Sequence, residues 1–214
     1  MMQKDATADR SWMRRSIPVA AVALFFCFGS VADAAALLFK AEAAPVSYTG
    51  AEIATTPLVF STKAGTAECT TMTVSGMNGS ASSSTAEVTP AFGPGTCKNF
   101  GVASSSIITN GCNFKFTLGT VTATLELVCG GKGIELAATG CTVTVSPQMG
   151  LQSVAFFTKG GGGPSRDLLA DFHVQNIAYV IPAGCTLTAP GKYNDGSLKG
   201  ELTIQGVKQG IWIE

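Results

Sequence analysis

The 214-residue sequence is poor in the groups that most chemistry needs. It has one histidine, His173, and no Cys-x-x-Cys pair, so a thioredoxin-like redox centre or a zinc ribbon lacks ligands at the required spacing. No Gly-x-Ser-x-Gly elbow supports a Ser-His-Asp hydrolase. Charged residues make up 13% of the chain, 14 basic against 14 acidic, which leaves no electrostatic footprint for nucleic acid and no polybasic segment for anionic lipid. Aromatic residues are 8%, a thin supply for sugar-stacking platforms. Nothing in the composition calls for a cofactor.

What is present begins at the amino end. Arg14 and Arg15 precede an uncharged run from Ile17 to Ala32, followed by small residues with Ala32 and Ala34 at the positions a signal peptidase reads. That order predicts a signal peptide over residues 1–34, cleaved after Ala34, and a single exported domain over 35–214. The run is 16 residues long, short of the ~20 that span a hydrocarbon core, so no membrane insertion is expected once the signal is removed. MRRSIPVAAVALFF, beginning at Met13, is itself a compact signal, which makes Met13 the alternative start. Cleavage removes Lys4, Arg10, Arg14, Arg15, Asp5, Asp9 and Asp33, leaving ten basic and eleven acidic residues, a net charge of about −1.

Cleavage also removes Cys27 and leaves Cys69, Cys97, Cys112, Cys129, Cys141 and Cys185. An even number in an exported chain points to three disulfides. One pair is fixed by the pattern of CNFKFTLGTVTATLELVC at 112–129. Phe114, Phe116 and Leu118 alternate with Lys115 and Thr117, and Val121, Ala123, Leu125 and Leu127 alternate with Thr122, Thr124 and Glu126. A hairpin with the loop Gly119 to Thr122 sets Leu118 opposite Ala123, Phe116 opposite Leu125 and Phe114 opposite Leu127. Cys112 then faces Cys129, with Cβ atoms ~4.5 to 5.5 Å apart and within reach of a disulfide after local twist. Nearest-neighbour order favours Cys69 with Cys97 and Cys141 with Cys185, one choice among the pairings that four further cysteines allow. Threonines follow Cys69, Cys141 and Cys185, as though each cysteine began a strand with a wet threonine face.

The remaining chain has the same style. Runs rich in Val, Ile, Thr and Phe at Pro57–Thr62, Ala86–Phe92, Leu151–Thr158 and Glu201–Val207 are separated by Gly, Pro, Asn and Ser clusters. From Asp171 to Ile181 the inward set changes parity between Val174 and Ile177, which marks a bulge or a break at Gln175 and Asn176. Lys159 to Ser165 reads as a flexible loop, Asn194-Asp195-Gly196 as a turn, and Ser165 to Ala170 as one helical turn capped by Ser165. The expected fold is all-β: an antiparallel, disulfide-stapled β-sandwich or jelly roll, with a closed β-barrel as the alternative.

Gly111-Cys112 before an apolar strand, the short hairpin to Cys129, then Cys141-Thr-Val-Thr-Val-Ser-Pro-Gln and Leu151 opening the next strand resemble the pattern of bacterial secreted six-cysteine all-β proteins with no assigned activity. The likeness covers most of the mature chain, and it implies an all-β exported domain and no site residues. The sequence leaves the catalytic residues, if any, unknown. His173 falls among outward strand positions, and Glu126, Glu135, Asp167, Asp171 and Glu201 each fit a solvated face, although paired carboxylates suffice for glycoside hydrolysis. Asp195 with Asn194 lacks the acidic ladder of a calcium loop, and Asn78-Gly79-Ser80 is a glycosylation triplet. The expected function is a non-catalytic structural, adhesive or binding domain of the cell envelope or extracellular space, with a cell-wall, polysaccharide or protein ligand. The alternative is a secreted glycan-directed hydrolase.

Overall fold

The computed structural model describes residues 35–214, so the segment read as a signal, 1–34, lies outside the described residues. In chain order the strands are β1 Phe39–Ala41, β2 Val46–Glu52, β3 Val59–Thr62, β4 Gly65–Cys69, β5 Met72–Asn78 and β6 Ser82–Ser83. They continue as β7 Thr85–Phe92, β8 Cys97–Asn99, β9 Val102–Ile108, β10 Asn113–Leu118, β11 Ala123–Val128 and β12 Ile134–Ala138. The last are β13 Cys141–Val145, β14 Gln148–Lys159, β15 Asp167–Ile181, β16 Gly191–Gly206 and β17 Ile211–Ile213.

Alternation dictates which side chains go inside. In β10 Phe114, Phe116 and Leu118 are buried while Lys115 and Thr117 face out, and its partner β11 buries Ala123, Leu125 and Leu127. The pairing Phe116↔Leu125 and Leu118↔Ala123 is the register that the sequence specifies, because a one-residue slip would turn every apolar side chain to water. Each fully buried Phe or Leu contributes roughly 1.5–3 kcal/mol. Phe116 packs edge-on against Phe156 at 5.2 Å and Phe172 at 5.9 Å, joining three strands in one cluster. Tyr48 crosses Gly76, where a Cβ would collide with its ring, and its hydroxyl donates to the Glu87 carbonyl at 3.0 Å. That contact ties β2 to β7 over the intervening β5.

All the pairings are antiparallel, and the ladder closes on itself. Its order is β10-β11-β14-β15-β13-β12-β9-β8-β4-β3-β16-β2-β5-β7, and β7 pairs back onto β10. Across this ring run the 15-residue β15 and 16-residue β16, paired with each other from Asp167↔Gln205 to Ile181↔Gly191. Strands of that length reach ~50 Å, beyond the usual 3–10 residues. They are long enough to serve two circuits in succession. β15 gives the edge of its first half to β14 and that of its second half to β13, while β16 takes β2 and β3 on its far side. One circuit therefore runs β10-β11-β14-β15-β16-β2-β5-β7, and the other β15-β13-β12-β9-β8-β4-β3-β16. A separate three-stranded sheet, β17-β1-β6, completes the described residues.

Three details differ from the sequence reading or decide it. The parity change in β15 is a bulge: the register shifts between Val174 and Ile177, Asn176 takes φ +60°, and the strand continues. Asn194-Asp195-Gly196 is not a turn but lies inside β16, where a second register shift falls: Gly196 pairs with Ile177 and Tyr193 with Tyr179, while Asn194 and Asp195 stand between these pairs. The helical turn at Ser165–Ala170 is absent; a 3-10 turn over Gly163–Ser165 precedes β15, because Leu168 to Ala170 are drawn into pairing with both β14 and β16.

Candidate functional site

The densest polar constellation forms where the β15 bulge resets the strand. Resetting turns Tyr179 inward, and its ring is 1% exposed beside Phe60. Its hydroxyl reaches the β3–β4 turn and β16, donating to Asp195 Oδ1 at 2.7 Å and accepting from the Lys63 backbone N–H at 2.9 Å. Lys63 Nζ lies 3.5 Å from Asp195 Oδ2 and 4.4 Å from the Tyr193 ring centroid. Tyr193 stacks on Tyr179 with centroids 5.4 Å apart, and its hydroxyl donates to the Ala189 carbonyl at 2.9 Å. Burial, and then the bond to Asp195, push the Tyr179 phenol up to about 12. The hydrogen bond from Tyr179, and then Lys63, hold the Asp195 carboxyl below its usual range. A phenol that keeps its proton to such a pH is no base at neutrality. Its geometry is that of an anchor between the β3–β4 turn and the β15–β16 ribbon.

The carboxylates singled out from sequence are dispersed, with one exception. Glu126 pairs across strands with Lys115 at 3.2 Å, Asp167 accepts from Gln205 Nε2 at 2.9 Å, and Glu135 stands on β12 opposite Thr144 and Ile108. Asp171 and Glu201 are directly opposed on β15 and β16. Asp171 Oδ1 is 3.2 Å from His173 Nε2, the His173 side chain is 63% exposed, and Glu201 Oε2 accepts from Thr56 Oγ1 at 2.8 Å. Neither member of this pair lines the depression outside β16, β2, β5 and β7 or the apolar cavity among Phe60, Phe114 and Leu136. Among the described residues no three His, Cys, Asp or Glu side chains converge as a metal ion requires.

Two acceptors were not foreseen. Glu52 closes β2 on its inward parity; burial raises its carboxyl above the ordinary value, Oε2 accepts weakly from the Leu58 N–H at 3.4 Å, and Oε1 is buried without a partner. Asn99 is fully buried, its Nδ2 donating to the carbonyls of Ser106 at 2.8 Å and Ala137 at 3.0 Å, with Oδ1 unpartnered. A lone polar residue in an alternating run carries no signal of burial beyond its parity, and Asn99 shares parity with Cys97 in β8.

Among the aromatic rings Phe157 is 50% exposed, but the tyrosine and tryptophan rings best suited to stacking are largely engaged. Tyr179 is buried, Tyr48 is 6% exposed, and Arg166 covers the Trp212 ring at 4.9 Å. A shallow depression of ≈ 600 Å³ lies on the outer side of β16, β2, β5 and β7. Thr203, Gln205, Thr49, Thr73, Ser75 and Thr89 supply its polar groups and Ala51 and Ala91 its methyls, with Glu52 its one ionisable lining residue. The apolar partners of these residues point the other way, into the core.

The structure pairs Cys69 with Cys97, Cys112 with Cys129 and Cys141 with Cys185. The idea that each cysteine opens a strand holds only at Cys141: Cys69 ends β4, and Cys185 lies in the loop after β15. Comparison with protein-family models, with curated proteins and with solved structures yielded no match.

Proposed function

We propose that the protein is a non-catalytic exported domain, a structural, adhesive or binding module of the cell envelope or extracellular space. The observation that carries this reading is the separation of charge from concavity. Apart from Glu52, the ionisable side chains described above are engaged in scaffold contacts away from the outer depression, which is lined mainly by hydroxyls, one amide and methyls. Such a face suits a neutral, hydrogen-bonding ligand such as a wall polysaccharide. Three disulfides favour an oxidising compartment. No helix among the described residues is long and apolar enough to cross a membrane. The strands themselves bury their apolar sides and show Thr, Ser, Lys and Glu outward, the reverse of a lipid-embedded barrel.

The test is co-sedimentation of the oxidised protein with cell walls and insoluble polysaccharides, with released soluble sugar assayed in the same tubes. Binding without release is expected, and Thr73→Arg, in the middle of the depression, should abolish it. The opposed Asp171 and Glu201 motivate the second reading, a glycan-directed hydrolase, since facing strand positions bring carboxyls near the ~5 to 9.5 Å that glycosidases use. Sugar release that disappears in Asp171→Ala would establish that reading and overturn the first.

A further inference from the structure

Where the two circuits meet, the core is incompletely filled. A cavity of ≈ 70 Å³ lies between side chains of both, among them Phe114, Leu125 and Leu151 from the first and Phe60, Ala67 and Leu136 from the second. Its position follows from the topology. Two rings that share one bulged ribbon cannot both close tightly over the stretch where that ribbon changes partners, and Ile177, the first residue beyond the bulge, is part of the lining. Gln148 is the one polar residue in the lining, and its amide is spent: Nε2 donates to the carbonyls of Ser146 at 2.9 Å and Ala178 at 3.1 Å, and Oε1 accepts from the Ala178 N–H at 2.8 Å.

We propose that this junction cavity is a binding site for a small, uncharged apolar molecule of about three or four carbon atoms, or for an atom of comparable size such as xenon. A buried water needs two to four polar partners, and this lining leaves none free. The space is therefore dry, and an apolar guest gains contacts there that water cannot make. Its volume is about half that of the ~150 Å³ apolar cavity known to hold benzene. An aromatic ring is accordingly too large, and any charged or hydroxylated guest would forfeit its hydration without compensation.

The experiment is a titration of the oxidised full-length protein with dissolved xenon and with cyclopropane, followed by methyl chemical shifts. Saturable shifts are expected at Leu125, Leu136, Ile177 and Met72, with a single isotherm for all four and no response to benzene. Ala67→Leu, which places three further carbons in the space, should keep the folded methyl spectrum and lose the saturable shifts. Should that variant fail to fold, Leu125→Ala supplies the converse: an enlarged cavity that now takes benzene. Linear, unsaturable shifts in the native protein, saturable shifts that survive in a folded Ala67→Leu protein, or a folded Leu125→Ala protein that ignores benzene would each overturn the assignment.

Discussion

Replacing Tyr179 by Phe removes one hydroxyl and nothing else, and the structure says what that hydroxyl does. It donates to a carboxylate at 2.7 Å and accepts from the Lys63 N–H at 2.9 Å. Asp195 is exposed and regains water when the phenol is gone, so the charged bond counts at the low end of the ~1.5–3 kcal/mol range for such contacts, and the Lys63 bond adds about 0.5 kcal/mol. A loss of about 2 kcal/mol at pH 8 is expected, or a Tm lower by about 4–8 °C for a domain of this size. The pH dependence is more discriminating. The folded phenol is pushed from 10.0 up to about 12, so the folded protein holds that proton more tightly than the unfolded chain does. Its contribution is therefore complete below about pH 10 and is lost as pH rises to about 12, by on the order of 2–3 kcal/mol. Urea unfolding of native and Tyr179→Phe proteins from pH 8 to 12 should show two stability curves that converge as the tyrosine titrates. Parallel curves, with the same difference at pH 8 and 11.5, would refute the anchor.

Further outcomes follow from other contacts. The double substitution Cys112→Ser with Cys129→Ser should lower stability by about 3 kcal/mol, read by urea unfolding, because it reopens a loop closed across 17 positions. Asn99→Ala should cost about 2–3 kcal/mol by leaving the Ser106 and Ala137 carbonyls without their donor, and Asn99→Asp should cost more, since it buries a charge at the same point; a milder Asp variant would contradict this. Glu52→Gln should stabilise at pH 7 and have little effect near pH 4. The raised folded carboxyl contributes stability below the unfolded value of 4.5 and loses it as pH climbs, so thermal melts at the two pH values give the sign directly.

Local pattern carried the sequence reading as far as neighbouring strands. The β10–β11 register was legible because apolar parity and loop length leave one solution, and the bulge in β15 was legible because Phe172 and Val174 face one way only if Ile177 and Tyr179 change parity. Ring closure was not, for β7 meets β10 and β3 meets β16 through long-range pairings that leave no mark in either strand alone. The Tyr179 constellation was hidden for a related reason. Asn-Asp-Gly has the chemistry of a turn, and only the pairing of Gly196 and Tyr193 on either side of a register shift holds it within β16, where Asp195 accepts from the phenol. Asn99 and Glu52 were missed because inward parity in a short or terminal strand is too weak a cue against polarity.

The shared ribbon also sets an order in time. A chain synthesised from its amino end makes β2 to β14 before it makes β15 and β16, yet both rings need those two strands to close. The β10–β11 hairpin stapled by Cys112–Cys129 can form as soon as it is made, and β4 can meet β8 through Cys69–Cys97 once the intervening β5 to β7 exist, whereas β2 waits with an open edge until Leu202 arrives opposite Glu52. Assembly governed by such distant pairings is slow, and unpaired edges in the interval invite pairing with other chains. Truncation before Gly191 would accordingly leave two unfinished sheets rather than a smaller domain, and any escort the nascent chain requires must cover those edges until its final residues emerge.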